Sequence, residues 1–213
     1  MMNFKKILGL SAFAAVMLGS CAQSGNEVKP ESEDNGKNVV IETIMSRRSV
    51  RDYEQRAIPR DTMQLIAECG INAPNGMNKQ DWEIKIVDDP GFIKGVTELY
   101  VKENPKAAED PKFKNMFRNA PTVAFIAAPE GSYSGINCGL LGENMILAAW
   151  SMGIGSCCLG GPVRFLNSEV AADYLAKLNI SEGYTVLYAI GFGYPAESPE
   201  AKPRDNSKIQ FVD

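Results

Sequence analysis

The sequence predicts an α+β domain in which a central sheet is flanked by helices. Two observations predict this class. Helical patterns and apolar strand patterns alternate along the chain, and the strand patterns are few and widely spaced. Between residues 39 and 198 there is neither an internal repeat nor a second linker. We therefore expect one domain over residues 39–213.

The first part of this domain is predicted to form two helices and a loop. Residues 38–50, "NVVIETIMSRRSV", and residues 58–73, "IPRDTMQLIAECGINA", place apolar side chains near helical spacing. Residues 73–82, "APNGMNKQDW", are rich in Pro, Asn and Gly, which favour turns. This loop therefore separates the second helix from the first strand.

A strand and a third helix follow this loop. Residues 82–89, "WEIKIVDD", alternate between apolar and polar side chains, as a half-buried strand does. Asp89 and Pro90 suit the cap and the first turn of a helix that runs to about Lys102. Residues 103–119 are polar and interrupted by prolines, so short helical pieces in a mobile excursion are expected there.

The second half supplies the core of the predicted sheet. "PTVAFIAAP" (121–129) and "YTVLYAIGFGYP" (184–195) are almost continuously apolar, which is typical of strands covered on both faces. Between them, "INCGLLGENMILAAWSMGIG" (136–155) is apolar nearly all round and predicts a buried helix. "NSEVAADYLAKL" (167–178) predicts another helix, capped by Asn or Ser. The tail, residues 199–213, ends in a strand-like "KIQFVD" that could cover its own sheet or join another subunit's sheet.

The first residues have the pattern of an export signal. Two lysines precede a fourteen-residue apolar run, "ILGLSAFAAVMLGS", which is too short to span a bilayer as a helix. The exit, "LGSC", resembles the bacterial lipobox and predicts lipidation of Cys21 after removal of residues 1–20. The alternative is a signal without lipidation and a chance cysteine. Residues 21–38 hold almost no large apolar side chain and predict a flexible tether. We therefore expect an exported protein, anchored by lipid to the bacterial cell envelope.

Composition excludes several classes of function. The formal net charge is −4, which does not suggest binding to nucleic acid. The chain contains no histidine, so Ser-His-Asp catalysis, Cys-His catalysis and His-ligated metal sites are excluded in their usual forms. No C-x-x-C pair follows Cys21, which argues against zinc knuckles and thioredoxin-type motifs. We expect no metal site and name no catalytic side chain.

A dense basic cluster stands out against this acidic background. Arg47, Arg48 and Arg51 lie within five residues, with Ser49 between them. A guanidinium offers a planar fork of donors that suits phosphate oxygens. The alternative is a solvated helix end, where positive side chains complement the helix dipole. A second basic pair, Lys202 and Arg204, lies in the tail and by itself indicates only solvated charge.

The segment "SMGIGSCCLGG" allows two interpretations as well. Gly160 and Gly161 would let backbone approach a flat ligand, or they would end a helix and form a tight turn. The run does not fit the Rossmann fingerprint, which needs glycine where Cys158 stands. Cys157 and Cys158 are either a redox pair or small buried residues.

Four segments together resemble the nitroreductase family of flavoproteins. "RRSVRDY", "APNGMNKQDW", "GENMILAAWSMGIGSCCLGG" and "GYPAESPEAKPR" occur in the order found in that family, from about residue 41 to the end. The resemblance implies a nitroreductase-like central mixed sheet flanked by helices. It also implies a homodimer with FMN at the interface and a C-terminal extension that embraces the partner subunit.

The resemblance also implies a role for each candidate site residue. Those implied to hold the FMN phosphate are Arg47, Arg48 and Ser49, closed over by Lys202 and Arg204. Arg51 would lie near the pyrimidine side of the flavin, and the backbone of Gly160 and Gly161 near its N5. The groups implied to reach the flavin from the partner chain are Pro74, Asn75, Gly76 and Asn78.

The implied activity is transfer of hydride or electrons from NAD(P)H through FMN to a small electron-poor acceptor, such as a nitroaromatic or a quinone. Two departures from the family pattern affect substrate preference: Asn75 replaces a common serine, and Asp81 replaces a common proline. An exported enzyme could instead take electrons from a membrane partner. Two other hypotheses are a lipid-anchored protein that binds flavin or another planar ligand without turnover, and a structural envelope lipoprotein.

Overall fold

The computed structural model describes residues 38–131 and 133–212. The predicted signal at residues 1–20, the lipidation site at Cys21 and nearly all of the tether lie outside the described residues. None of the helices in the described ranges combines the length and the apolar character needed to cross a membrane.

Six α-helices and four strands organise the described residues. The helices are α1 (Val39–Ser46), α2 (Arg60–Ile71), α3 (Pro90–Glu103), α4 (Ser134–Ser151), α5 (Gly161–Leu166) and α6 (Ala172–Lys177). The strands are β1 (Glu83–Val87), β2 (Thr122–Pro129), β3 (Gly155–Leu159) and β4 (Tyr184–Gly193). The predicted α+β class, a central sheet flanked by helices, is confirmed.

The strands form one sheet in the order β1-β2-β4-β3, and every neighbouring pair is antiparallel. Among the described residues, parallel pairing is limited to an isolated bridge between Ser49 and Ser156. The mixed sheet implied by the resemblance is thus antiparallel within its four strands.

β2 and the second half of β4 are buried on both faces, as their apolar sequences predict, whereas Thr185 and Leu187 near the start of β4 are exposed. Along β2, Ala124 and Ile126 face one hydrophobic cluster and Val123 and Phe125 face the other. Residues of α2 and α4 complete the first cluster, and residues of α3 and α5 complete the second. Period-two alternation of side chains puts neighbouring residues on opposite faces, so only an unbroken apolar run fills both layers.

Helix α1 is shorter than its sequence predicts and is not part of the core. Asn38 caps its first turn by accepting from the backbone N–H groups of Val40 and Ile41. The helix ends at Ser46, because Arg47 adopts φ −56° and ψ 137°. No side chain of α1 is buried in this chain. Its apolar side chains therefore remain exposed among the described residues.

The sequence pattern did not predict β3, and three other elements differ from expectation. "GSCCL" lacks the alternation of a strand, and its conformation follows from pairing with β4. The helix predicted at residues 167–178 is a short 3₁₀ turn followed by α6. The helix predicted to be buried, α4, exposes one apolar face. The tail forms a 3₁₀ turn at Asn206–Lys208, and residues 209–212 pair with no strand of the described chain.

We expect Gly155→Ala to lower the free energy of unfolding by about 1–3 kcal/mol, the usual cost of overpacking a tight contact. A Cβ at this position would lie 2.8 Å from Cγ2 and 2.9 Å from Cβ of Val50, which lies between Arg48 and Arg51 of the arginine cluster. Urea denaturation measures the change. Gly139→Ala in α4 is the control, since its Cβ would meet no atom within 4 Å. Equal stability of Gly155→Ala and the wild type would contradict this packing.

Candidate functional site

The arginine cluster lies on an extended segment beside β3. After α1 ends, Ser49 forms a parallel bridge with Ser156, and the backbone N–H of Val50 donates to Ser156 O at 2.9 Å. The sequence predicted a helix through residue 50. The extended course is favoured because it places Val50 in the core, where it is fully buried.

A second set of backbone contacts holds the same segment against the chain that follows β4. Tyr53 pairs with Pro195, and the N–H of Glu54 donates to Tyr194 O at 2.9 Å. The Tyr53 hydroxyl donates to Val50 O, and burial raises the pKa of this phenol. The side chain is thus a structural donor, and the segment has a fixed course from residue 49 to 54.

Arg48 and Arg47 differ in how their donors are used. Arg48 Nη1 donates to Met45 O at 2.9 Å and to Arg47 O at 2.7 Å, so this side chain satisfies carbonyls at the end of α1. The helix-end interpretation therefore applies to Arg48. In contrast, Arg47 Nε is buried and has no hydrogen-bond partner among the described residues. A buried donor without a partner is rare in folded proteins and costs about 1–3 kcal/mol. The Nε–H group of Arg47 is therefore available to donate to a hydrogen-bond acceptor from outside the described residues.

Arg51 is exposed and lies on the same extended segment. Its Nη1 donates to Ser49 O at 3.1 Å, and its backbone N–H donates to a carboxylate oxygen of Glu197. Glu197 was not predicted as a site residue. It links the arginine segment to the residues that precede the tail.

The cysteines of β3 lie close to these cations. Burial raises the pKa of the Cys157 thiol, although the nearby positive charges of Arg51, Arg118 and Arg47 oppose that change. Burial likewise raises the pKa of Cys158, with Arg47 again opposing it. Both cysteines are free thiols. Cys157 is buried, which fits the packing interpretation, whereas Cys158 is exposed on β3. A raised thiol pKa does not favour nucleophilic chemistry at either position.

Gly160 and Gly161 lie directly after β3, and neither is required there by the fold of this chain. A Cβ added at either position would meet no atom within 4 Å. Gly160 has φ −93° and ψ −38°, a conformation that any residue adopts. In contrast, Gly153 has φ +74°, a conformation that glycine adopts without steric cost. The two later glycines thus leave bare backbone beside open space.

The predicted loop at residues 74–78 lies against α4. The N–H of Gly76 donates to Oδ1 of Asn137 at 3.3 Å. The Asn75 side chain is used inside the loop, where its Oδ1 accepts from the N–H of Gln80 at 2.9 Å. Pro74, Gly76 and Asn78 are exposed. Asn78 has φ +51°, a left-handed conformation that asparagine tolerates.

Not all predicted site residues meet within one chain. Arg51 and Gly161 line a common cavity of about 800 Å³. No hydrogen bond or ion pair between described residues joins the 74–78 loop or the tail to the arginine segment. Lys202 and Arg204 are exposed, and Arg204 Nη1 donates only to Lys202 O, at 3.1 Å.

The same cavity contains residues that sequence reasoning missed. Arg118 and three lysines of residues 106–114 line it together with Gly161. The sequence signal for these cations was weak, because residues 103–119 carry no motif. The only sequence hint was repeated lysine within a polar, proline-interrupted segment.

Together these groups can bind an anion and a flat molecule. The cations give positive charge at one edge of the sheet, and the open glycine backbone gives a surface without side chains. Among the described residues, no group of three or more acidic or thiol side chains could hold a metal ion.

Comparison with known proteins agrees with this geometry. The family model described as the nitroreductase family matches residues 44–194. A putative NADH dehydrogenase/NAD(P)H nitroreductase of Methanothermobacter thermautotrophicus is 28% identical, with 75% of this chain and 79% of the relative covered. An NADPH-flavin oxidoreductase of Vibrio harveyi is also 28% identical, with 78% of this chain and 70% of the relative covered.

The solved structures give the same result for the fold. A nitroreductase with bound FMN from Bacteroides fragilis superposes with a TM-score of 0.73 and is 28% identical. That alignment covers 83% of this chain and all of the solved one. The family match spans well over half of the sequence and includes the arginine segment, the 74–78 loop and the paired glycines. The chain belongs to the nitroreductase family.

Proposed function

We propose that this protein is an FMN-dependent oxidoreductase that passes electrons from NAD(P)H to an electron-poor acceptor such as a nitroaromatic or a quinone. The observation that carries the proposal is the buried, unpartnered Nε of Arg47. It lies at the segment that the family resemblance assigns to a flavin phosphate. Relatives named as NAD(P)H oxidoreductases and a neighbour with bound FMN support the same cofactor and donor.

The residues present fit FMN in two independent ways. The Arg47 donor lacks an acceptor, and a phosphate oxygen would supply one. Gly160 and Gly161 leave backbone exposed to open space, which suits a planar ring. Bound FMN would supply hydride and electron transfer, which side chains of this composition cannot perform.

The role of the chain itself is to position and to stabilise charge. Arg47 and Ser49 would hold the phosphate, with Lys202 and Arg204 brought to it by the tail. Arg51 would present a fixed cation beside the ring, in the manner of preorganised donors that stabilise developing negative charge. Arg48 would contribute only through donors not used at the end of α1.

We further propose that two copies of the chain complete the site. Helix α1 exposes a row of large apolar side chains: Val39, Val40, Ile41, Ile44 and Met45. On α4, Ile136 and Leu140 are also exposed, and Trp150 Nε1 of that helix donates to Ser46 Oγ of α1 at 2.9 Å. Phe211 and Val212 in the tail are each 95% exposed. Apolar surface of this extent is typical of an interface, and a partner copy could bring its 74–78 loop to the flavin.

The direct test is a visible spectrum of the purified full-length chain, followed by anaerobic addition of NADH and then NADPH. We expect a flavin spectrum that bleaches and then recovers when a nitroaromatic or quinone is added. A colourless protein that takes up no FMN would reject the proposal. Flavin that binds but is never reduced by nicotinamide would instead favour a membrane electron donor or a binding protein without turnover.

Arg47→Ala is expected to weaken FMN binding roughly 10-fold to 100-fold, since each charge-assisted hydrogen bond contributes about 1.5–3 kcal/mol. Quenching of flavin fluorescence measures the dissociation constant. Gly160→Ala should also weaken binding while leaving stability unchanged, because its Cβ meets no atom of the chain itself. Arg60→Ala is the control, since that guanidinium pairs with Asp88 at 2.6 Å. Unchanged affinity in both site variants would contradict the assigned contacts.

Ile41→Asp is expected to convert a dimer into monomers with a parallel loss of flavin. Ile41 is 60% exposed in the single chain, so a charge there should not disturb the fold. Sedimentation equilibrium measures the mass, and absorbance measures the flavin content. The control is Val170→Asp, an exposed apolar residue on a short 3₁₀ turn. A monomeric wild type with full flavin content would overturn the shared site.

We also propose that Cys21 is lipidated and anchors the domain to a bacterial membrane. The supporting observation is the "LGSC" exit of the apolar run. Cys21→Ser should move the protein from the membrane fraction to the soluble fraction of cells, because the acyl chains that hold it would be missing. Retention of the serine variant in the membrane at wild-type levels would argue against lipidation.

A further inference from the structure

The cavity beside the arginine segment has a wall of positive charge that the assigned flavin contacts do not use. Besides Arg51, the cations that line it are Lys106, Lys112, Lys114 and Arg118. We call this group without Arg51 the basic wall. The cavity has a volume of about 800 Å³, which is within the usual range for a site that holds a small molecule.

The carboxylates that line the cavity, Asp52, Asp110 and Glu197, are fewer than its cations and offset only part of the positive charge. Asp52 is paired with Lys114, whose Nζ lies 3.4 Å from its Oδ1. Glu197 accepts from the backbone of Arg51, and Asp110 accepts from the backbone N–H of Lys112 at 2.9 Å. Among the residues that the structure describes, Lys106, Lys112 and Arg118 have no carboxylate within ion-pair distance. Positive charge thus remains free to meet a ligand.

Two asparagine side chains fix the backbone that carries the wall. Asn119 is buried, and its Oδ1 accepts from the N–H groups of Lys114 at 2.8 Å and Asn115 at 3.2 Å. Its Nδ2 donates to Lys112 O at 3.1 Å. In return, Asn115 Oδ1 accepts from the N–H of Asn119 at 3.0 Å. The segment predicted to hold short helical pieces contains a 3₁₀ turn at Pro105–Glu109, and the residues after it form a hydrogen-bonded loop.

The backbone conformation of this loop also indicates that it is held in place by its surroundings. Arg118 and Asn119 have φ +57° and +67°, a left-handed region that is unfavourable for arginine. Phe117 beside them is fully buried and anchors the loop to the core. Strain of this kind persists only where surrounding contacts enforce it. The loop thus presents Arg118 to the cavity from a fixed position.

We propose that the basic wall binds a carboxylate, sulfonate or phosphate group on a small planar substrate, and that Lys112 and Arg118 are its main contacts. The inference rests on the proposed function in one respect, because it places the substrate beside a flavin bound near Arg51 and Gly161. The anionic group has two possible sources: an electron acceptor that carries it, or the phosphates of the nicotinamide donor. In both cases the wall acts as a specificity determinant.

Calorimetry tests the wall without requiring turnover. The purified full-length chain is titrated with 2-naphthalenesulfonate and with the neutral 2-naphthalenemethanol. We expect the sulfonate to bind more tightly and to lose affinity at high salt. The double variant Lys112→Gln with Arg118→Asn should weaken sulfonate binding at least roughly 10-fold and leave the neutral compound unaffected. Asparagine is chosen at 118 because it tolerates the left-handed conformation.

Kinetics of the same proteins separate the two sources of the anion. The acceptors are 1,4-naphthoquinone-2-sulfonate and menadione, and the donors are NADPH and NADH. A raised KM for the sulfonated quinone alone, with kcat unchanged, identifies the acceptor as the source. A raised KM for the nicotinamide nucleotides identifies the donor. Lys94→Gln is the control, since this exposed lysine of α3 pairs with Glu98 at 3.7 Å.

The outcomes also separate this inference from the proposed function. A chain that takes up no flavin rejects the proposed function, whereas the sulfonate titration still tests the wall. The inference is overturned if the sulfonate and the neutral compound bind equally, or if the double variant binds the sulfonate as the wild type does.

Discussion

Burial of β2 and of the second half of β4 on both faces is the constraint on which the rest of the structure depends. Helices cover both sides of β2 and of the second half of β4, and the side chains there are almost all apolar. Charged groups are consequently displaced to the edges and ends of the sheet. The edge at β3 receives the segment of Ser49 and Val50, and this pairing brings the arginines to it. The basic site is thus a consequence of where the sheet ends.

Several groups at this edge are incomplete in a single chain, and they are incomplete in related ways. Within the part of the chain that the structure describes, Arg47 Nε has no acceptor, Gly160 and Gly161 face open space, and α1 has no buried side chain. Each feature alone would cost stability or go unused. Together they indicate a surface that a cofactor and a second copy of the chain would cover. The basic wall adds a requirement on the substrate rather than on the cofactor.

The sequence anticipated the elements whose residues carry a local pattern. β2 and β4 followed from continuous apolar runs, and α3 followed from Asp89 and Pro90 at its start, where Asp89 does accept from the N–H groups of Gly91 and Phe92. β3 was missed, because "GSCCL" has no local preference and becomes a strand only by pairing with β4. The end of α1 was misplaced for a similar reason. Val50 is drawn into the core, and the chain has to leave the helix to reach it.

By itself the sequence determined the class of fold, the family resemblance and the charge that marks the site, since these depend on composition and the order of motifs. Only the tertiary structure decided how each charge is used. Three arginines that look equivalent in "RRSVR" differ because their surroundings differ: Arg48 satisfies the end of a helix, Arg47 has a buried donor without a partner, and Arg51 lines a cavity. Lys112 and Arg118 reach that cavity through a loop that Asn115 and Asn119 hold in place. Such contacts join residues whose separation in sequence carries no repeating pattern, so they exist only once the chain has folded.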